Sequence, residues 1–320
     1  MADPAPLVSI PEAPAPEGGS AEWVIGAGGA RLRVALFPAV AVPARGSVVV
    51  SPGRTEPIEK YYEVVGELRE RGFAVLVHDW RGQGLSHRML PDRLKGHASG
   101  YKDFLEDYRL TLLAFQDRLP QPWIALGHSM GACRVLLELV KGESRFAAGL
   151  LSAPMLGIST AGVPEALSRA IAWSMVASGQ GASPVPGLGH DPLVDAFVEE
   201  GLTHDRARYS RYKDQLRACP EIALGGPTWG WLDFALSAIA AFEDRAELAK
   251  VSIPVTVVAA EHDRLVLNSI ARQVVERMPR GRYVEIPHAF HEILVETDDI
   301  RAQFWTVFDQ LAAEVTSPPA

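Results

Sequence analysis

Strand-like and helix-like segments alternate through most of this chain, and that order constrains the fold more than any other feature of the sequence. Short apolar runs at 46–51, 73–77 and 123–126 are each followed by a segment with the apolar spacing of a helix. Runs of this kind are typical of a parallel sheet that is buried on both faces. The alternation stops after Pro154 and resumes at Ile253. We therefore predict one doubly wound, mostly parallel sheet of the α/β class with an insertion.

Composition divides the chain into four stretches. Residues 1–20 are rich in proline and alanine, with too little apolar content to form a core, so we expect a disordered tail there. Residues 21–155 and 238–315 carry the alternating pattern and form the predicted core domain. Residues 156–237 are richer in glycine, serine, proline and tryptophan and show no clear strand, which predicts an inserted subdomain.

Charge and cysteine content exclude several classes of function. The chain carries 31 Lys plus Arg against 39 Asp plus Glu, a net charge of −8, which disfavours binding to nucleic acid. Two cysteines are too few for a disulfide scaffold or a cysteine-based zinc module, and they fit a reducing compartment. The N-terminal stretch lacks the features of a signal peptide, and no uninterrupted apolar run could span a bilayer as a helix. We therefore expect a cytoplasmic protein.

The sequence Gly-His-Ser-Met-Gly at 127–131 lies between a predicted strand and a predicted helix. This is the setting of the G-x-S-x-G nucleophile elbow, a tight turn that holds a serine hydroxyl above the sheet at a helix N-terminus. The two glycines leave room for the neighbouring strand and helix. Ser129 is therefore a candidate nucleophile, and the alternative is an ordinary turn whose serine only caps the helix.

A serine hydroxyl needs a base and a group that orients the base. In this arrangement the acid and the histidine follow the serine along the chain, each after a later strand. Asp263 and His291 occupy such positions. Glu261 and His288 stay open as alternatives, because they lie close by in the same two loops.

Acyl transfer also needs hydrogen-bond donors for the negative charge that develops on the carbonyl oxygen. One candidate is the backbone N–H of Met130, the residue after the serine. The second donor should come from the loop after strand 46–51, where Gly53 lets the backbone approach closely and the N–H of Arg54 is our choice. From this segment alone, a plain Pro-Gly turn is the better explanation.

Several other residues have a structural and a functional interpretation. Trp229 and Trp231 could line an acyl pocket or could only hold the insertion onto the core. The turn at 79–84 contains an aspartate but reads as a structural turn. His128 and His262 adjoin the candidate nucleophile and acid, so we expect their side chains to point away from the site. The remaining histidines form no metal-ligand pattern.

With these residues in place, the chain resembles the α/β-hydrolases of the lysophospholipase and monoacylglycerol lipase group, in particular the bacterial lysophospholipase L2-like proteins. The motif GHSMG indicates only the superfamily, whereas GGPTWGWL and HEILVETD are narrower signals. The stretches that carry the resemblance are 52–88, 127–131, 225–232, 257–266 and 291–298. The resemblance implies the α/β-hydrolase fold, with the insertion forming a lid (cap) over the active site.

By position, the resemblance implies specific roles for five residues. They are Ser129 as nucleophile, Asp263 as acid, His291 as base, and the backbone N–H groups of Arg54 and Met130 as oxyanion donors. Many relatives have His-Gly where this chain has Pro52-Gly53, a departure that keeps the backbone donor and leaves the substrate range open.

The expected activity is a serine ester hydrolase that uses no metal or organic cofactor. Its expected substrate is a small-molecule acyl ester, specifically a monoacyl lipid such as a lysophospholipid or a monoacylglycerol. Because the net charge is negative, transient peripheral contact with a membrane would have to come from apolar lid surface. A short-chain carboxylesterase or thioesterase with the same three residues stays open. So does a non-catalytic binding protein of the same fold, although that function would not require the complete set.

Overall fold

The computed structural model describes residues 3–160, 162–199 and 201–316. Across these residues nine strands form one sheet in the order β1-β2-β3-β5-β4-β6-β7-β8-β9. The strands are β1 (Asp3–Ala5), β2 (Ser20–Ile25), β3 (Arg31–Phe37), β4 (Gly46–Ser51), β5 (Phe73–His78), β6 (Trp123–His128), β7 (Phe146–Ser152), β8 (Val255–Ala260) and β9 (Gly281–Ile286). The first three strands join the sheet antiparallel, and the strands from β4 onward pair in parallel.

Helices connect the parallel strands, as the alternating pattern predicted. They are α1 (Tyr62–Glu70), α2 (Lys102–Phe115), α3 (Met130–Val140), α4 (Glu165–Ala177), α5 (Arg206–Ala218), α6 (Trp229–Ala240), α7 (Arg245–Leu248), α8 (Asn268–Val275) and α9 (Asp298–Thr316). The prediction of a doubly wound, mostly parallel α/β sheet is confirmed.

The core has two layers, one on each face of the sheet. Val49 contributes to the layer under α2, α3, α6 and α8, whereas its neighbours Val48 and Val50 contribute to the layer under α1 and α9. This division follows from the alternation of side chains along a strand. Each fully buried valine or leucine contributes about 1.5–3 kcal/mol relative to an exposed one, so both layers stabilise the sheet. The carboxyl ends of the parallel strands therefore rest on a rigid base.

The prediction of a disordered tail over residues 1–20 is wrong for residues 3–20, while residues 1 and 2 lie outside the described residues. Asp3–Ala5 pairs with β2 as an edge strand, and the backbone N–H of Val8 donates to Glu59 Oε1 at 3.1 Å. Leu7 and Ala15 pack against the core. Apolar content alone underestimates this segment, because backbone hydrogen bonds along an open sheet edge attach it.

The insertion runs from β7 to β8 and contains helices α4, α5, α6 and α7. The boundary that we predicted at residue 237 falls inside α6. Phe234, Ala235 and Ala238 of this helix are buried in the core layer that also contains α3. The end of the insertion is therefore continuous with the core rather than separated from it.

Two further predictions concern the surroundings of the protein. No helix in the described ranges combines the length and apolar character that crossing a membrane requires. Cys133 is buried and Cys219 is half-buried, and both carry free thiols. The cytoplasmic location stays a prediction.

Candidate active site

Ser129 occupies a sharp turn between β6 and α3. Its backbone has φ 50° and ψ −116°, a left-handed conformation that a residue with a side chain rarely adopts. A Cβ atom at Gly131 would lie 2.0 Å from the Ser51 carbonyl oxygen, and one at Gly127 would lie 2.5 Å from Ala132 Cα. Glycine is therefore required on both sides of the turn, as the motif predicted.

Ser129, His291 and Asp263 form one hydrogen-bonded chain. His291 Nε2 lies 3.0 Å from Ser129 Oγ, and His291 Nδ1 lies 2.7 Å from Asp263 Oδ2. The other carboxylate oxygen, Asp263 Oδ1, accepts hydrogen bonds from the backbone N–H groups of Leu265 and Val266 at 2.8 and 3.0 Å. The three side chains follow β6, β8 and β9, whose carboxyl ends meet at one edge of the sheet.

The pKa values of Asp263 and His291 are shifted in the directions that a catalytic base and its orienting carboxylate require. Burial of Asp263 would raise its pKa, but hydrogen bonds from His291 and from two backbone N–H groups outweigh burial and lower the pKa. Burial of His291 would lower its pKa, but the Asp263 carboxylate outweighs burial and raises the pKa above the usual 6.5. His291 can therefore gain a proton readily while Asp263 stays ionised.

The alternatives from the sequence lie elsewhere. The side chain of His288 is 82% exposed, and the Glu261 carboxylate accepts a hydrogen bond from the His288 backbone N–H at 2.7 Å. Glu261 is itself exposed. The structure thus brings Asp263 and His291 to Ser129, and it pairs Glu261 with His288 at the surface.

The expectation that His128 points away from the site is wrong. Its ring lies 4.9 Å from the ring of His291, and its Nε2 atom lies 3.7 Å from Glu56 Oε1. Burial lowers the pKa of His128 to about 4, so the ring is neutral at physiological pH. His262, by contrast, is half-exposed and lies beside His288.

The loop that carries Arg54 is fixed by the side chain of its own residue Glu56 and by side chains of the turn at 79–84. Glu56 Oε2 accepts a hydrogen bond from the Gly53 N–H at 2.5 Å. Gln83 Nε2 donates to the Gly53 carbonyl at 3.0 Å, and Gln83 Oε1 accepts from the Thr55 N–H at 3.1 Å. Trp80 Nε1 donates to the Pro52 carbonyl at 2.7 Å. The turn at 79–84 is structural, as predicted, and it holds this loop.

The two predicted oxyanion donors have no acceptor among the residues that the structure describes. Within the described ranges, neither the Arg54 N–H nor the Met130 N–H is hydrogen-bonded to another residue. Met130 is the first residue of α3, where N–H groups have no partner within the helix. Both groups are therefore available to an oxygen atom of a substrate.

Glu56 was not found from the sequence. It is buried, and Lys60 Nζ and the Tyr61 hydroxyl donate to it at 2.8 and 2.6 Å. Burial would raise the pKa of Glu56, but the charge of Lys60 and the hydrogen bonds from Lys60 and Tyr61 together outweigh burial, and the pKa falls to about 2. Its role is to hold the loop that carries Arg54, through the Gly53 N–H. A single glutamate in a loop gives no sequence signal for such a role, because its partners come together only in the folded structure.

The two predicted pocket residues begin α6. Trp231 lies close to the site, since it lines a small cavity together with Met130 and Gln83. Its indole Nε1 is buried and has no hydrogen-bond partner among the described residues. Trp229 is half-buried at the first position of the helix, and its backbone N–H donates to the Ser183 carbonyl at 3.0 Å.

One surface cluster has the chemistry of a metal site. Ligand atoms of Glu261, His262 and His288 lie within 4.8 Å of one another, and all three residues are exposed. They lie in the two loops that carry Asp263 and His291. The hydrogen-bonded chain at Ser129 does not include them.

A family model described as serine aminopeptidase, S33 matches residues 42–298. The chain belongs to this family. Lysophospholipase L2 of Escherichia coli (strain K12) is 34% identical to this S33-family chain over 268 residues, which cover 80% of this chain and 76% of that protein. The monoacylglycerol lipase of Mycolicibacterium smegmatis is 26% identical over 276 residues, 85% of this chain and 90% of that protein.

A solved structure shows the same fold. A soluble variant of monoglyceride lipase from Saccharomyces cerevisiae, in complex with a substrate analog, superimposes with a TM-score of 0.72 at 17% identity. The superposition covers 92% of this chain and 95% of that chain. The α/β-hydrolase fold and the resemblance that the sequence suggested are both confirmed.

Proposed function

We propose that this S33-family α/β-hydrolase is a carboxylic ester hydrolase that cleaves the acyl ester of a lysophospholipid or a monoacylglycerol. The observation that carries the proposal is the continuous hydrogen-bonded chain from Asp263 through His291 to Ser129 Oγ. This is the geometry that converts a serine hydroxyl into a nucleophile. The names of the relatives, lysophospholipase L2 and monoacylglycerol lipase, support the substrate class.

In the proposed mechanism, His291 Nε2 takes the proton of Ser129 Oγ as this oxygen attacks the ester carbonyl carbon. Asp263 holds the other ring nitrogen as N–H and stabilises the imidazolium that forms. His291 then gives the proton to the leaving alcohol oxygen, and the acyl group stays on Ser129. A water molecule, with His291 again as base, cleaves the acyl-enzyme and releases the fatty acid.

The negative charge of the tetrahedral intermediate falls on the former carbonyl oxygen. We assign its stabilisation to the N–H groups of Arg54 and Met130. Glu56 and Gln83 hold the Arg54 loop by hydrogen bonds to Gly53 and Thr55, so the donors need not reorganise during the reaction. This preorganisation favours acyl transfer over a binding function, which does not require aimed donors.

The insertion is the proposed lid. Helix α4 exposes large apolar side chains to solvent, namely Leu167, Ile171, Trp173 and Val176. Exposed apolar surface of this kind is typical of a site that meets lipid. We propose that Trp231, and with it Trp229, contributes apolar surface to the acyl pocket. Any transient contact with a membrane would involve α4.

Labelling of Ser129 tests the proposal most directly. A fluorophosphonate probe should form one adduct on Ser129, and Ser129→Ala should lower kcat by about three or more decades. His291→Ala should be inactive, whereas the matched variant His288→Ala should keep nearly normal activity because His288 lies at the surface.

Two outcomes would redirect the proposal. A folded sample that forms no adduct would exclude a serine hydrolase. Turnover of p-nitrophenyl esters limited to C2–C4 acyl chains, with none of lysophosphatidylcholine or monoacylglycerol, would indicate a short-chain esterase.

A further inference from the structure

The guanidinium of Arg54 lies between the loop beside Ser129 and the insertion. Its Nη2 donates to the Gly225 carbonyl, and its Cζ lies 5.1 Å from the ring centroid of Trp231. Its Nε is buried without a hydrogen-bond partner, and no carboxylate within the described ranges forms a salt bridge with it. A guanidinium has about five N–H donors, so most of the donors of Arg54 are unused.

Several buried guanidiniums in the described ranges have more hydrogen-bond acceptors than that of Arg54. Arg88 also lacks a carboxylate partner, but it donates to the backbone carbonyls of five residues. The buried guanidinium of Arg33 pairs with Glu59 and Asp79 at 2.7 and 2.8 Å, and that of Arg81 pairs with Asp107 at 2.8 Å. Burial lowers the pKa of Arg54 to about 10, which still leaves it charged at neutral pH. A charge held out of water without a partner costs stability, so an anion supplied by a ligand is a natural partner.

Accessibility separates Arg54 from Arg134, another guanidinium without a carboxylate partner in the described ranges. Arg134 also has unpartnered nitrogens, but it is only 1% exposed and lies among the rings of Tyr101, Phe104 and Phe234. Arg54 is only half-buried. A Cβ atom at Gly96 would lie 3.0 Å from Arg54 Nη2, so glycine at this position leaves room for the guanidinium.

The reach of the side chain matches one part of a lysophospholipid. In that lipid, about six covalent bonds separate the ester carbonyl carbon from the phosphorus atom, and about six separate Cα of arginine from Nη. The backbone N–H of Arg54 is the proposed donor to the ester oxygen. The reach of the side chain from that N–H thus equals the length of the glycerol phosphate, and guanidinium matches phosphate in charge and geometry.

We propose that the Arg54 guanidinium binds the phosphate of a lysophospholipid and so makes this substrate preferred over a monoacylglycerol. The inference rests on the proposed function, since it places the ester at Ser129. A purely structural Arg54, which only holds Gly225 and Trp231 against the loop, would affect both substrates equally.

The test compares two lipids with the same acyl chain, decanoyl lysophosphatidylcholine and 1-decanoylglycerol, both below their micellar concentrations. Arg54→Met keeps the backbone N–H and most of the side-chain volume but removes the charge. It should lower the ratio of kcat/KM for the lysophospholipid to kcat/KM for the monoacylglycerol about 10- to 100-fold, the usual effect of losing a charged hydrogen bond. Arg54→Lys should fall between wild type and Arg54→Met.

Arg93→Met is the matched control. Arg93 Nη2 also joins the core to the insertion, through the carbonyls of Gly84 and Glu221 at 3.2 and 2.9 Å. This variant should leave the ratio of the two kcat/KM values unchanged. Equal losses on both lipids in Arg54→Met, or no loss on the lysophospholipid, would overturn the inference.

A binding measurement separates this inference from the proposed function. Calorimetry on Ser129→Ala, with and without Arg54→Met, measures the Kd of the same lysophospholipid without turnover. If wild type hydrolyses neither lipid but binding weakens about tenfold or more without Arg54, the proposed function fails and the phosphate site stands. If wild type hydrolyses both lipids and neither Kd nor the ratio depends on Arg54, only the inference fails.

Discussion

The two long helices of the insertion that lie outside the core, α5 and α4, are attached to the protein in opposite ways. Arg208 and Arg211 of α5 both donate to the Glu63 carboxylate on α1. Arg208 Nη2 also lies 2.6 Å from Asp298 Oδ1. The Tyr212 hydroxyl donates to the Thr55 carbonyl at 2.7 Å, which ties α5 to the loop beside Ser129. Helix α5 is therefore part of the frame that holds this loop.

Helix α4 has none of these attachments. Its buried residues are Ser168 and Ala172, which are small, while Trp173 is 65% exposed and Leu167 is 51% exposed. Its ion pair, between Arg169 and Glu243 at 3.3 Å, is open to solvent. Exposed pairs of this kind contribute about 0–1 kcal/mol. If part of the insertion moves to admit a substrate, displacement of α4 breaks fewer ion pairs and hydrogen bonds than displacement of α5, although it also breaks the packing of α4 against α6.

Lowering the pH should abolish activity before it breaks the ion pairs that attach α5, and this is the largest effect that we expect. His291 must be neutral to take the Ser129 proton, and its pKa lies above the usual 6.5. We therefore expect kcat/KM to fall about tenfold for each pH unit below the His291 pKa. The pKa of Glu63 is lowered to about 2, since hydrogen bonds and charge from three arginines outweigh burial.

Because the pKa of Glu63 is lowered, the ion pairs that attach α5 should break at a lower pH than the one at which activity is lost. A carboxylate with a lowered folded-state pKa stabilises the fold above its usual 4.5, and that stabilisation disappears as the pH falls towards 2. A pH–rate profile should therefore lose activity well above the pH at which circular dichroism detects unfolding. Activity and fold lost together below pH 4.5 would mean that α5, not His291, limits the enzyme.

Glu63→Gln should destabilise the protein more than Glu243→Gln, by a moderate amount. The first substitution removes the carboxylate charge that Arg208, Arg211 and Arg301 share, while Arg208 keeps its other carboxylate partners. It should cost about 2 kcal/mol and lower Tm by about 3 °C. The second removes the exposed pair of α4 and should cost less than about 0.5 kcal/mol. Equal shifts in thermal unfolding would contradict the distinction between the two helices.

Trp173→Gln should have the smallest effect, and only on aggregated lipid. The side chain of Trp173 is 65% exposed, so its replacement should change stability by less than about 0.5 kcal/mol. KM for lipid in mixed micelles should rise about threefold because α4 loses apolar contact area, while kcat/KM for p-nitrophenyl butyrate stays constant. Leu113→Gln, on α2 and 53% exposed, is the control and should change neither value. If Trp173→Gln lost activity on the soluble ester, α4 would, like α5, help to hold the loop beside Ser129.

The sequence predicted the reaction centre because each residue there follows a local rule. Ser129 lies in a turn that needs two glycines. Asp263 and His291 each follow a strand that its own apolar run identifies in the sequence. Glu56 and Gln83 follow no such rule. Gln83 contacts Gly53 and Thr55 from a separate segment, and these residues meet only once the sheet has formed.

Two of the sequence-based expectations that the structure corrects failed for a common physical reason. The N-terminal segment was judged by its apolar content, but backbone hydrogen bonds to β2 attach it to the sheet edge. His128 was judged by its position next to Ser129, but the space between Glu56 and His291 decides where its ring lies. Both outcomes depend on contacts between distant segments, which composition and spacing do not contain.

The backbone conformation of Ser129 sets stability against catalysis at this position. Its φ of 50° and ψ of −116° suit glycine, and holding serine there costs about 1–3 kcal/mol. Ser129→Gly would relieve that cost and remove the nucleophile in one step. A population selected only for resistance to heat would therefore drift towards an inert protein, and only continued demand for turnover keeps serine at this position.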